Sequence, residues 1–154
     1  MTRIAEFALY PQDAPEWCWA AVVQMLQQHY LPIRQTQAEI VRCCQGDSMC
    51  ITANSASRSR HCPNPCLEGL VWQATGRNRH LPWKTLCAEL DAQRPVIITW
   101  DRHSVVCIGY EPVGRILTIY NPLPVGRGRV ESLPYHNYVE LFNSESWYAI
   151  RLAA

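Results

Sequence analysis

Eight cysteines and five histidines are the side chains of this sequence best suited to nucleophilic and acid–base chemistry, and their positions separate them. Cys18 stands at the start of Trp17–Tyr30, a run without Gly or Pro. Its apolar residues follow helical spacing on two faces, with Cys18, Ala21, Val22 and Met25 on one and Trp19, Val23, Leu26 and Tyr30 on the other. Such a helix is buried. Its first turn offers the sulfur unpaired N–H groups and the positive end of the helix dipole. Both favour the thiolate, which is the nucleophilic form of cysteine. Taken singly, a cysteine in so cysteine-rich a chain is more often a core or disulfide residue. Gln12 lies six residues upstream, where a side-chain amide can reach an oxyanion; the helix-start N–H of Cys18 would be the second donor.

A thiol nucleophile needs a base, and the choice lies among His29, His61, His80, His103 and His136. His103 immediately precedes the apolar segment Val105–Tyr110, which reads as a strand. Glu111-Pro112-Val113-Gly114 then turns the chain into a second strand, Ile116–Tyr120, which ends at Asn121. An odd-sized loop centred near Pro112 places His103 directly opposite Asn121, and a small change of register leaves them diagonal neighbours. The amide would hold the imidazole in one tautomer and direct its other nitrogen at the thiol.

The elements that must position these residues change character along the chain. Thr36 with Glu39 forms a capping-box pattern that opens a second helix through about Cys44. Cys43–Cys66 has no sustained period and reads as a cross-linked loop. Leu67–Ala74 reads as a short helix ending at Gly76, and Pro82–Gln93 as a better one, with Pro in its first turn. After Pro95 come Val96–Trp100, the two strands already named and Trp147–Leu152, all short and β-rich. Helices first and strands afterwards predict an α+β domain, with a helical part over about 10–93 and an antiparallel sheet over about 95–154. A length of 154 residues fits a single domain spanning 1–154. A net charge of +1 gives no electrostatic drive toward nucleic acid, and no apolar run is long enough to span a membrane. The arginines at 58, 60, 77 and 79, and at 127 and 129, read as solvated loop charge, and Trp72, Trp83, Trp100 and Trp147 as core.

With these residues in view, the sequence resembles the papain-like cysteine peptidases, specifically the small bacterial branch of C39-like peptidases and AvrRpt2-type (C70) secreted effectors. The resemblance rests on Gln12, Trp17-Cys18-Trp19-Ala20-Ala21, Thr36-Gln37, His103-Ser104-Val105-Val106 with Gly109-Tyr110, and Asn121-Pro122, covering about residues 10–125. It implies a papain-like fold in which Cys18 is the nucleophile, His103 the general base and acid, Asn121 the orienting residue and Gln12 the oxyanion-hole donor. It implies a thiol protease acting on protein or peptide substrates without a cofactor, with an inhibitor or immunity protein as a further partner. A deamidase or transglutaminase-type acyl transferase would use the same triad, and a catalytically silent binding protein could keep the fold. Asp101-Arg102 stands where these peptidases often carry Gly-Gly, and Gln37-Ala38 where a Gln-Cys pair is usual.

The other cysteines form two groups. Cys87 and Cys107 read as small core residues. Cys43, Cys44, Cys50, Cys62 and Cys66 are odd in number, so at most two bridges form among them. Disulfides fit their spacing better than zinc, because adjacent Cys43-Cys44 is a poor chelating arm and prolines stiffen Cys62–Cys66. Cysteine density without a signal-like N-terminus points to export by a route needing no cleaved signal peptide, with a cytoplasmic protein as the alternative.

Overall fold

A computed structural model describes residues 1–31, 34–43, 70–76, 78–101, 103–141 and 144–152, with Cys43, 70–74 and 147–152 described in backbone only. The elements are β1 (Thr2–Arg3), α1 (Cys18–Tyr30), α2 (Gln37–Cys43), β2 (Leu70–Ala74), α3 (Trp83–Asp91), β3 (Val96–Trp100), β4 (His103–Glu111), β5 (Ile116–Asn121), β6 (Arg129–Pro134), α4 (Tyr135–Val139) and β7 (Glu145–Leu152). All strand pairs are antiparallel, in the order β2-β7-β3-β4-β5-β6, with β1 paired to β4 beyond the end of β3. The expected α+β architecture, helices packed on an antiparallel sheet, is present.

The core forms where α1 lies on the sheet. Trp19, Ala20, Val22, Met25 and Leu26 of the helix are buried together with Val105, Val106, Cys107 and Ile108 of β4. Successive residues of a strand point to opposite faces, so four consecutive buried residues place β4 in the interior on both faces. This is why its sequence runs apolar without alternation. Gly109 is required by β1: a Cβ there would come within 2.5 Å of the Thr2 carbonyl oxygen.

Helix boundaries follow the chain's own signals. Helix α1 ends where Leu31, ahead of Pro32, turns extended. The Thr36 hydroxyl caps α2 by accepting the Glu39 N–H at 3.1 Å. Helix α3 follows Pro82, and Leu86 and Leu90 are fully buried while Cys87 is only half-buried, so of the two expected core cysteines Cys107 alone is one. The expectation of a helix at Leu67–Ala74 is overturned, because Leu70–Ala74 is a strand paired with β7. Leu70-Val71-Trp72 suits a strand by propensity, and its partner lies some 75 residues later in sequence, beyond the view of local periodicity. Strands β1 and β6 and helix α4 were not expected from periodicity.

Candidate active site

Three segments converge on the start of α1. Cys18 is its first residue, Trp17 supplies no side-chain cap, and no acidic residue lies in the first turn. The positive end of the helix therefore remains uncompensated by its own turn. The Cys18 side chain is 2% exposed. Burial raises its thiol above the ordinary range, while the Ser104 amide and hydroxyl and the Trp19 amide pull the other way. Desolvation is the largest influence on the thiol and opposes the preference of the helix start for the thiolate. Ser104, whose side chain is fully buried, directly follows His103.

His103 begins β4, across from Trp100 at the end of β3. Only Asp101 and Arg102 connect the two strands. Tight hairpins of this size need positive φ, which is why glycine suits the position. Asp101 meets the need with φ of 40° and is exposed. The Trp100 ring meets the His103 ring edge-on at 5.5 Å. His103 Nε2 lies 2.8 Å from Asn121 Oδ1.

The juxtaposition of these two residues was expected, but the register that makes it differs. Glu111 pairs with Ile116 around a four-residue loop, and Ile108 bulges between Cys107 and Gly109. From there Val106 pairs with Tyr120, so the register sets Asn121 across from Val105. His103 is two residues further along the same face. The pair is diagonal, within reach of an imidazole and an amide.

Asn121 is 5% exposed and its amide can point only one way. The Leu123 N–H donates to Oδ1 at 3.0 Å, and Nδ2 donates to Glu131 Oε1 at 3.3 Å. A backbone N–H cannot pair with an NH₂, nor a carboxylate with a carbonyl oxygen. Oδ1 therefore faces the imidazole, and His103 must donate from Nε2. The neutral ring then carries its lone pair on Nδ1, as a base requires. Burial lowers the pKa of His103; the Asn121 bond and the Glu131 charge raise it, and Arg129 lowers it. Glu131 in turn is held by Arg129 at 2.9 Å.

Gln12, 2% exposed, is placed by its backbone: its N–H donates to the Pro122 carbonyl at 3.1 Å and its carbonyl accepts from Gly126 at 3.0 Å. The loop before α1 is thereby joined to the chain leaving Asn121. Its side chain donates one Nε2 hydrogen to the Ala14 carbonyl at 3.0 Å, leaving the second hydrogen of that group.

Of the remaining histidines, His29 Nε2 contacts the Gln93 carbonyl at 2.7 Å and His80 packs on Tyr135 and Tyr138. The disulfide candidates Cys44, Cys50, Cys62 and Cys66, with His61, lie outside the described residues, and the side chain of Cys43 does too. Among the described residues no cluster of His, Cys, Asp or Glu could hold a metal, and no helix is long and apolar enough to cross a membrane. Sequence reasoning missed Ser104 and Glu131. The first was legible as the neighbour of His103, the second only through strand β6.

The α+β fold, with helix α1 packed on an antiparallel sheet, is that of a papain-like cysteine peptidase. The chain belongs to the Peptidase_C39 like family, whose model matches residues 4–152. No curated protein matches the sequence. Among solved structures, the chain is similar to the peptidase domain of Streptococcus ComA, a bi-functional ABC transporter involved in a quorum sensing pathway. The TM-score is 0.58 at 17% identity, over 94% of this chain and 98% of that one.

Proposed function

We propose that this cysteine peptidase hydrolyses peptide bonds with Cys18 as nucleophile, His103 as general base and acid, Asn121 as its orienting residue and Gln12 as oxyanion donor. The observation that carries the reading is the 2.8 Å contact between His103 Nε2 and Asn121 Oδ1, in an amide whose orientation two further partners fix. His103 Nδ1 takes the proton of the Cys18 thiol as the sulfur attacks the carbonyl carbon, and the carbonyl electrons move to oxygen. The oxyanion receives the Cys18 N–H and the second Nε2 hydrogen of Gln12. When the tetrahedral species collapses, the imidazolium gives its proton to the leaving amine. Water, deprotonated by the same nitrogen, then releases the acyl group. Burial raises the Cys18 thiol and lowers the His103 imidazole, so desolvation disfavours the charged form of each.

The test is intact-mass analysis with an epoxide thiol-protease probe, followed by profiling of protein N-termini. A single adduct on Cys18 and new N-termini that vanish in Cys18→Ala support the reading. A one-dalton gain at Gln or Asn residues would make the enzyme a deamidase, amine incorporation a transglutaminase, and a Cys18 that neither reacts nor turns over any substrate a silent binding protein.

A further inference from the structure

We propose that Gln37 is a positioning residue for the oxyanion donor, holding the Gln12 loop against the helix that carries Cys18. The inference rests on the role given to Gln12 above. Gln37 is the first residue of α2 and 1% exposed. Its Oε1 accepts the Asp13 N–H at 2.8 Å, and its Nε2 donates to the Pro11 carbonyl at 2.7 Å. These backbone groups flank Gln12 on either side. The second Nε2 hydrogen goes to Gln24 Oε1 at 2.9 Å, and Gln24 lies on α1. Gln24 is itself anchored, donating to the Gln35 carbonyl at 3.2 Å.

One primary amide thus meets one donor and two acceptors, and the orientation is fixed by chemistry: only its oxygen can accept from Asp13, only its nitrogen can donate to Pro11. The loop is tied to the Cys18 helix through Gln37, and to the chain beyond Asn121 through the Pro122 and Gly126 backbone. Gln12 is thereby set against both halves of the site. An oxyanion donor acts through preorganisation, so its N–H must be in place before charge develops. Displacement of a positioned group by about 1 Å costs on the order of 10²-fold in rate. Glutamate at this position keeps the acceptor and loses both donors once ionised; alanine loses all three bonds.

The experiment measures two reactions of Cys18 in enzyme titrated for active sites: acylation by p-nitrophenyl acetate, which develops an oxyanion, and alkylation by iodoacetamide, which does not. Wild type, Gln12→Ala, Gln37→Ala and the double variant are compared. Gln37→Ala should slow acylation by roughly 10- to 10²-fold with alkylation unchanged, and add little once Gln12 is alanine. Gln37→Glu is the second arm. Facing two acceptor oxygens in a buried site, its carboxyl ionises late, so its acylation rate relative to wild type should fall as pH rises. It decides the matter if Gln37→Ala does not fold. Equal losses in acylation and alkylation, or additive losses in the double variant, would overturn the inference alone. Gln12→Ala acylating at the wild-type rate would overturn the role of Gln12 and this inference with it.

Discussion

Replacing Asn121 by alanine removes three hydrogen bonds at once, and their consequences fall on different observables. The Leu123 N–H loses its acceptor at 3.0 Å, and a stranded buried donor costs about 1–3 kcal/mol of stability. Glu131 keeps Arg129 at 2.9 Å and adds little to that loss. The His103 bond acts on rate. Between two neutral groups it is worth about 1 kcal/mol, and about 1.5–3 kcal/mol once the imidazole is charged. The difference, roughly 0.5–2 kcal/mol, is felt only as the imidazolium forms, so acylation should slow by about 2- to 30-fold. Loss of the Nε2–H tautomer preference adds a factor of a few, giving roughly 10- to 10²-fold in all. His103→Ala, which removes the base, should cost about 10²–10⁴-fold. Burst kinetics with p-nitrophenyl acetate on titrated enzyme measure both, and the substrate dissociation constant should change little in either variant. Acylation by Asn121→Ala at the wild-type rate, or a larger loss in His61→Ala than in His103→Ala, would refute the assignment of these partners.

Three further outcomes follow from the site and its support. Glu131→Gln should lower the titration midpoint of His103 and Arg129→Gln should raise it, from a wild-type value already below the ordinary imidazole range; NMR titration of the ring reads both signs. Gly128 has φ of +66° and its Cβ would lie 3.1 Å from the Asn121 carbonyl oxygen. Gly128→Ala should therefore lower stability by about 1–2 kcal/mol and also slow acylation, which thermal unfolding and burst kinetics measure together. Burial pushes the Cys107 thiol from 9.0 up to about 12, so the folded state holds its proton more tightly than the unfolded chain. Its contribution to stability is complete below pH 9 and is lost as pH rises toward 12, and denaturant unfolding of Cys107→Ala should show a shallower alkaline decline.

How much was legible in the sequence can be judged residue by residue. Helix α1, its stop before Pro32, the Thr36 cap of α2 and the central strands were readable, because each depends on side chains within one or two turns of chain. Cys18 at a helix start and His103 at a strand start were readable for the same reason. The meeting of His103 with Asn121 was half readable: hairpin topology guarantees nearness, but a loop of four residues and the bulge at Ile108 set a diagonal pairing in place of the direct one. Strand β2 was misread because its partner is β7, and β6, with Glu131 behind Asn121, was not seen. Gln37 was visible only as part of the family resemblance, and nothing local tells that its amide spans Pro11, Asp13 and Gln24. The surroundings of the Cys18 sulfur were decided by tertiary structure as well. The helix dipole is a property of adjacent residues and can be read along the chain, whereas desolvation, the largest influence raising the thiol, depends on everything that packs around the sulfur.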